Sequence, residues 1–299
     1  MVSAQATLLY AIGAPKTGTS WLHGFLDAHP QCAMPVAKEL HYWDTVEGLK
    51  PDWQKDQVVA QITRLRDRIA RVEAGEQEGR VPRLRRRLKQ MERWLTALVI
   101  GERDHRTYLD LLYEGAGEAK LVADITPSYC LLPQKRLREM AELVPDTRFI
   151  FLMRDPVERY WSQCRFMAGK RAERGKTDDA EGYALRLLDK ALRGENTDIT
   201  QRGDYAAVLA KLAALPRERV MCGFYEDLFK PGSVRALCDF LGIDRVKAET
   251  GEKINAGPEL ELDDSRRAAL QRLLAPQYAA VADEMGALPE AWQRNMERV

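Results

Sequence analysis

The sequence predicts an α/β protein with a three-layer fold, a central parallel sheet flanked by helices, and an inserted antiparallel helical hairpin. Three observations carry this. An apolar run closed by glycine, "TLLYAIG" (Thr7 to Gly13), leads straight into a segment of helical period. Further apolar runs, above all "RFIFLMRD" (Arg148 to Asp155), each precede another helical stretch, the alternation that builds a parallel sheet covered on both faces. Residues 52–106 have a different texture, with apolar residues at steps of four and three. The expected organisation is one domain over 1–299, with 52–106 as an Arg-rich insertion.

In chain order, Gly18 to Ala28 carries one apolar face of Trp21, Leu22, Phe25 and Leu26, and His29-Pro30 stops that helix. "QCAMPV" is a short extended piece, followed by "AKELHYWD" (Ala37 to Asp44). Val58, Ile62, Leu65, Ile69 and Val72 mark the first arm of the hairpin, and Leu84, Leu88, Met91, Leu95 and Leu98 the second. "KLVAD" (Lys120 to Asp124) reads as a strand, and "PQKRLREMAELV" (Pro133 to Val144) as a helix opened by proline. After the strand ending at Arg154-Asp155, "PVERYWSQCRFMAG" (Pro156 to Gly169) is a helix with proline in its first turn. "RERVMCGFYEDL" gives another strand and turn, Ser233 to Leu241 a helix, and Asp263 to Met285 an amphipathic closing helix.

Composition excludes several function classes. The 299 residues are 45% hydrophobic and 30% charged, with a net charge of +1, so no global basic field points to nucleic acid. No apolar stretch approaches the ~20 residues of a membrane span. The N-terminus lacks a basic region and reads as a first strand rather than a signal peptide. Cys32, Cys130, Cys164, Cys222 and Cys238 lie far apart without a paired motif, as expected for reduced thiols in a cytoplasmic protein. The four histidines form no metal-binding pattern, so no metal is expected. Between Lys50 and Arg106, 12 Arg and 3 Lys face 9 Asp or Glu. That excess reads as a solvated helix face, with three other candidate roles: an anion site, a lid over an anionic substrate, or the contact of a homodimer.

The loop "GAPKTGTS" (Gly13 to Ser20) joins a strand to a helix, the arrangement that aims backbone N–H groups and a helix dipole at an anion. Its glycines have the separation of a nucleotide-hydrolase phosphate loop. Thr19, however, stands where such an enzyme needs lysine, and the lysine occurs inside the loop at Lys16. Lys16, Thr17, Thr19 and Ser20 offer one cation and three hydroxyls. At the end of the strong strand, Arg154 lies at the usual ligand edge of a parallel sheet and can grip a phosphate bidentately. Ser162, about two turns into the next helix, can add a hydroxyl.

"PKTGTSWL" (Pro15 to Leu22) and "FLMRDPVERYWSQ" (Phe151 to Gln163) resemble the two signatures of P-loop-like sulfotransferases that use 3′-phosphoadenosine 5′-phosphosulfate (PAPS). The resemblance implies that Pro15, Lys16, Thr17, Gly18, Thr19, Ser20 and Trp21 bind the 5′-phosphosulfate, with Lys16 assisting the bridging oxygen. It also implies that Arg154 and Ser162 hold the 3′-phosphate, and that the bisphosphate PAP is the co-product. "KELHYWD" (Lys38 to Asp44) resembles the segment in which heparan-sulfate-type and bacterial members carry their general base. That carries over to Glu39, with His41 and Asp44 near the acceptor. On chemistry alone His41 remains a second candidate base, and Glu39 paired locally with Lys38 remains a third reading. "DITPSYC" (Asp124 to Cys130) departs from the family's stretch by placing Ile125 where a lysine is usual, leaving Thr126 and Tyr129 as acceptor-side groups. "TGEKINAGP" offers Lys253 and Asn255 to the 3′-phosphate side. The acceptor implied is a hydroxyl, or an amine, of a carbohydrate or small molecule. Two alternatives stand beside this reading: a nucleotide kinase, and a non-catalytic binding module whose contact surface is the basic hairpin.

Overall fold

The computed structural model describes residues 6–75, 80–195, 197–247 and 258–296. Lys253 and Asn255 lie outside the described residues. In chain order the elements are β1 (Thr7–Gly13), α1 (Thr19–Asp27), β2 (Cys32–Ala33), α2 (Tyr42–Val46), α3 (Pro51–Ala74), α4 (Val81–Ile100), α5 (Arg106–Tyr113), β3 (Leu121–Ile125), α6 (Gln134–Glu142), β4 (Thr147–Met153), α7 (Pro156–Glu173), α8 (Ala180–Leu192), α9 (Asp198–Gln201), α10 (Tyr205–Leu212), β5 (Val220–Phe224), α11 (Pro231–Leu241), α12 (Asp264–Met285) and α13 (Glu290–Met296). None of the described helices is long and apolar enough to cross a membrane.

The five strands form one all-parallel sheet in the order β2-β3-β1-β4-β5. β1 is its centre, buried along its whole length. Alternate residues feed opposite faces: Leu8, Tyr10 and Ile12 enter one core, Leu9 and Ala11 the other. Phe149, Phe151 and Met153 of β4 divide from Ile150 and Leu152 in the same way. Burial on both faces is why these strands read as unbroken apolar runs. Because all strands point the same way, β1, β3 and β4 release their loops at one edge. That edge receives the turn after Gly13, the Thr126 segment and Arg154.

α3 and α4 pack antiparallel, as the ion pairs Arg66–Glu92 and Arg85–Glu73 register. Val58, Ile62, Leu65 and Ile69 are buried as the spacing predicts. On α4 the stripe is rotated: Leu84, Leu88 and Leu95 are half-buried, while Trp94 and Ala97 join Met91 and Leu98 inside. The rotation follows from Trp94, whose Nε1 donates to the Leu40 carbonyl at 2.9 Å. The second arm therefore rests on the backbone of the Lys38–Asp44 segment.

α7 begins as the sequence suggests. Pro156 fills the first turn, and the Asp155 carboxylate accepts from the Glu158 N–H. The sequence reading assigned no elements to residues 174–212, where α8, α9 and α10 lie. Each opens on a side-chain cap, from Asp179, Thr197 and Asp204 respectively. These helices are short, and the last two span only four and eight residues, too few to show a period.

Candidate active site

The turn from β1 to α1 is shaped by its backbone. Lys16 has φ 72° and Gly18 φ 92°, both left-handed. At Gly18 a Cβ would stand 2.7 Å from Leu228 Cδ2, so only glycine fits. Lys16 adopts the same region despite its side chain, a local cost of about 1 kcal/mol that fixes where its ammonium emerges. No side chain caps α1. Thr17 is fully buried and its hydroxyl donates to the Ala14 carbonyl at 2.6 Å. The proton expected to meet a phosphate thus braces the turn instead. Trp21 stacks on Phe25 and meets Phe229 edge-on, so its ring is core packing. Ser20 Oγ accepts from Lys38 Nζ at 3.0 Å.

Arg154 follows β4. Its carbonyl accepts from the Tyr205 hydroxyl at 2.8 Å, and Tyr225 underlies its guanidinium at 4.9 Å. Its Nη1 lies 3.5 Å from the Lys16 carbonyl. The two segments that the sequence suggests as anion cradles are therefore neighbours. Ser162 is buried in the second turn of α7. One turn further, Arg165 donates from Nη1 to the Pro258 carbonyl, while its Nε is buried with no hydrogen-bond partner among the described residues. Phe166 lies 4.4 Å from Lys16 Nζ. Burial, and then the charges of Arg154, Arg165 and Lys38, push the Lys16 ammonium down to about 8. Four cations thus converge on one loop.

Facing them is the Lys38–Asp44 segment. Lys38 Nζ reaches Glu39 Oε1 at 3.0 Å, and His41 Nε2 lies 3.5 Å from Glu39 Oε2. His41 Nδ1 meets Asp44 Oδ2 at 2.6 Å. His41 is itself left-handed at φ 52°. Burial disfavours the imidazolium, but hydrogen bonds to Asp44 and Glu39 outweigh it and carry His41 up to about 9. Burial would raise Glu39, but the His41 hydrogen bond and the Lys38 and His41 charges hold it down to about 2. The local Lys38–Glu39 pair read from the sequence is present, beside the Lys16 loop.

Three residues expected to face an acceptor are turned inward. Asp44 is enclosed between His41 and the Ser128 hydroxyl. Thr126 and Tyr129 are fully buried and donate to Asp124 at 2.6 and 2.8 Å. The Thr126 oxygen also accepts from Leu40 N at 3.1 Å. Thr126 and Tyr129 hold the segment from beneath, because the turn that follows β3 carries them into the core, while Asp44 lies on α2 within the segment itself. Lys38 and Arg165 were absent from the sequence-derived site. The signals were present: Lys38 precedes the base candidate, and Arg165 stands three residues after Ser162 on the same helix. Among the described residues no group of His, Cys, Asp or Glu could hold a metal ion.

The family model described as "Sulfotransferase family" matches residues 9–247. A crystal structure of a sulfotransferase from Alicyclobacillus acidocaldarius superposes with a TM-score of 0.60 at 20% identity, covering 97% of this chain and 99% of that chain. The sulfotransferase domain of the Synechococcus PCC 7002 olefin synthase superposes with a TM-score of 0.50 at 16% identity, covering 92% and 94%. At these identities the two likenesses establish the fold. A search of curated proteins gives no match. The matched region spans the Lys16 loop, the Glu39 segment and Arg154, and on that basis the chain belongs to the sulfotransferase family.

Proposed function

We propose that the protein transfers a sulfuryl group from PAPS to a hydroxyl of a carbohydrate or small-molecule acceptor. What supports this most is the adjacency of the two cradles, with Arg154 Nη1 against the Lys16 carbonyl. The donor carries about four negative charges at neutral pH, two on its phosphosulfate and up to two on its 3′-phosphate. Lys16, Lys38, Arg154 and Arg165 match that number, and Arg165 Nε, buried without a hydrogen-bond partner among the described residues, is a further donor one turn beyond Ser162.

The donor supplies an activated sulfuryl group: the acceptor oxygen bonds to sulfur as the bond from sulfur to the phosphate oxygen breaks. Lys16 and the loop hold the charge left on that oxygen, within a site already rich in cations. Glu39 takes the acceptor proton. His41 is a poor candidate for that work, since both its nitrogens are engaged and it stays charged at neutral pH. It instead fixes the Glu39 carboxylate, and Asp44 fixes His41. Asp124, placed like the metal-binding acid of a nucleotide hydrolase, has its carboxylate filled by three hydroxyls, which disfavours the kinase alternative. We read the hairpin as part of the same folding unit, since Trp94 supports the base segment.

Titration calorimetry with PAP, AMP and ATP tests the proposal. PAP binds at least ~10-fold more tightly than AMP, and Arg154→Ala removes about 1.5–3 kcal/mol of that preference. Equal affinity for PAP and AMP would overturn the reading. A mass-spectrometric screen of hydroxyl and amine acceptors for the gain of one sulfuryl group then identifies the second substrate.

A further inference from the structure

Lys38 touches both halves of the site at once. Its ammonium lies 3.0 Å from Ser20 Oγ on the phosphate loop and 3.0 Å from Glu39 Oε1 on the base. The contact is open to ligands: the Lys38 and Glu39 side chains are 25% and 38% exposed. We propose that Lys38 is a latch on the base: without donor it ties Glu39 to the loop, and an anion seated against Ser20 takes the ammonium over and releases Glu39 to accept a proton. The inference rests on the donor reading above and assigns Lys38 a positioning role that the sequence motifs do not give it.

The competition favours the incoming anion. Glu39 offers Lys38 a single charge, already shared with His41, whereas a phosphosulfate brings about two. Lys38 also lies among cations, since both it and Arg165 act on Lys16. An anion entering that field gains from all of them together. Other titratable groups facing the pair are His23 of α1 and His41 of its own segment, with Asp27 and Asp44 acting on those two histidines. His41 stays bound to Glu39 throughout, so the carboxylate keeps its orientation as its basicity rises. The latch also imposes an order: an acceptor arriving before the donor meets a base held by Lys38, and its proton is not drawn.

Carboxyl carbon-13 NMR on the full chain, with the Glu39 resonance assigned by Glu39→Gln and PAP as the probe, tests this. In the free wild type, Glu39 shows no titration between pH 8 and 4. With PAP its midpoint rises by at least two pH units, about a hundredfold in proton affinity, and enters that window. Lys38→Met raises the midpoint of the free protein by a similar amount, and PAP then adds less than half the wild-type increment. Lys38→Arg restores the wild-type pattern. A wild-type-sized PAP increment in Lys38→Met, or an unmoved midpoint in the free variant, would overturn the latch. Failure of PAP to bind the wild type in calorimetry would instead overturn the donor reading, so the two failures are distinguishable.

Discussion

His41 offers the sharpest test of how Glu39, the proposed base, is held. It sits between Glu39 and Asp44 with 19% of its side chain exposed, little enough that water does not screen the pair away. Its rise from 6.5 to about 9 corresponds to about 3 kcal/mol of preference for the charged form. A raised folded value means that this stability is complete below pH 6.5 and is lost as pH climbs through 9. Lys16 acts with the opposite sign. Its value falls from 10.5 to about 8, so the folded state gains stability between those limits as pH rises. The two partly cancel in the wild type, and the comparison with His41→Gln isolates His41, since Lys16 is common to both. Urea unfolding at pH 6 and pH 9.5 should show the gap between wild type and variant shrinking by up to about 3 kcal/mol. A proton NMR titration of the His41 ring should give a midpoint near 9, falling towards 6.5 in Asp44→Asn. An unchanged gap, or a wild-type midpoint near 6.5, would refute the arrangement.

The hairpin's support of the site can be measured separately. Trp94→Ala should cost about 3–5 kcal/mol by emptying a buried site, and Trp94→Phe only about 1 kcal/mol for the lost bond to the Leu40 carbonyl, both read by urea unfolding. Thr126→Val should cost about 1–3 kcal/mol by leaving Asp124 and Leu40 N short of a partner. Its turnover should fall while PAP affinity holds, with Thr126→Ser restoring stability and turnover, and equal loss of turnover and PAP affinity would show that the residue serves the donor cradle instead.

How much of this was legible in the sequence follows from what is local. The Lys16 loop was readable because strand, turn and helix are contiguous and each leaves its own pattern. Arg154 was readable because the residue that follows a parallel strand lies at the sheet edge by topology alone. The hairpin was readable from period, except where Trp94 rotates one arm through a contact fifty-four residues away. Burial of Asp44, Thr126 and Tyr129 was not readable, since it depends on which chain covers them. Polar residues beside a motif invite a substrate role, and only their partners show a supporting one. The sequence shows Lys38 only as a neighbour of Glu39, because its reach to Ser20 spans eighteen residues and leaves no local pattern.

Asp124 shows how this fold turns a familiar position to another use. It follows the apolar run of β3 at the place where a nucleotide hydrolase would set an acid for its metal. Here Tyr108, Thr126 and Tyr129 all donate into its carboxylate, at 2.7, 2.6 and 2.8 Å. Burial raises this acid while the three hydroxyls oppose the rise, so the group is held by donors rather than by a cation. Because the Thr126 proton is committed to Asp124, its oxygen can only accept on the other side. There it takes Leu40 N at 3.1 Å and lies 3.5 Å from His41 N. Those two amides follow Glu39 directly along the chain. An acid inside the sheet thereby sets the backbone of the proposed base Glu39, and the His41 and Lys38 contacts then choose its side-chain position. Sulfuryl transfer places less charge on the moving group than phosphoryl transfer, and a site that spends its buried acid on orientation rather than on a metal is consistent with that lighter demand.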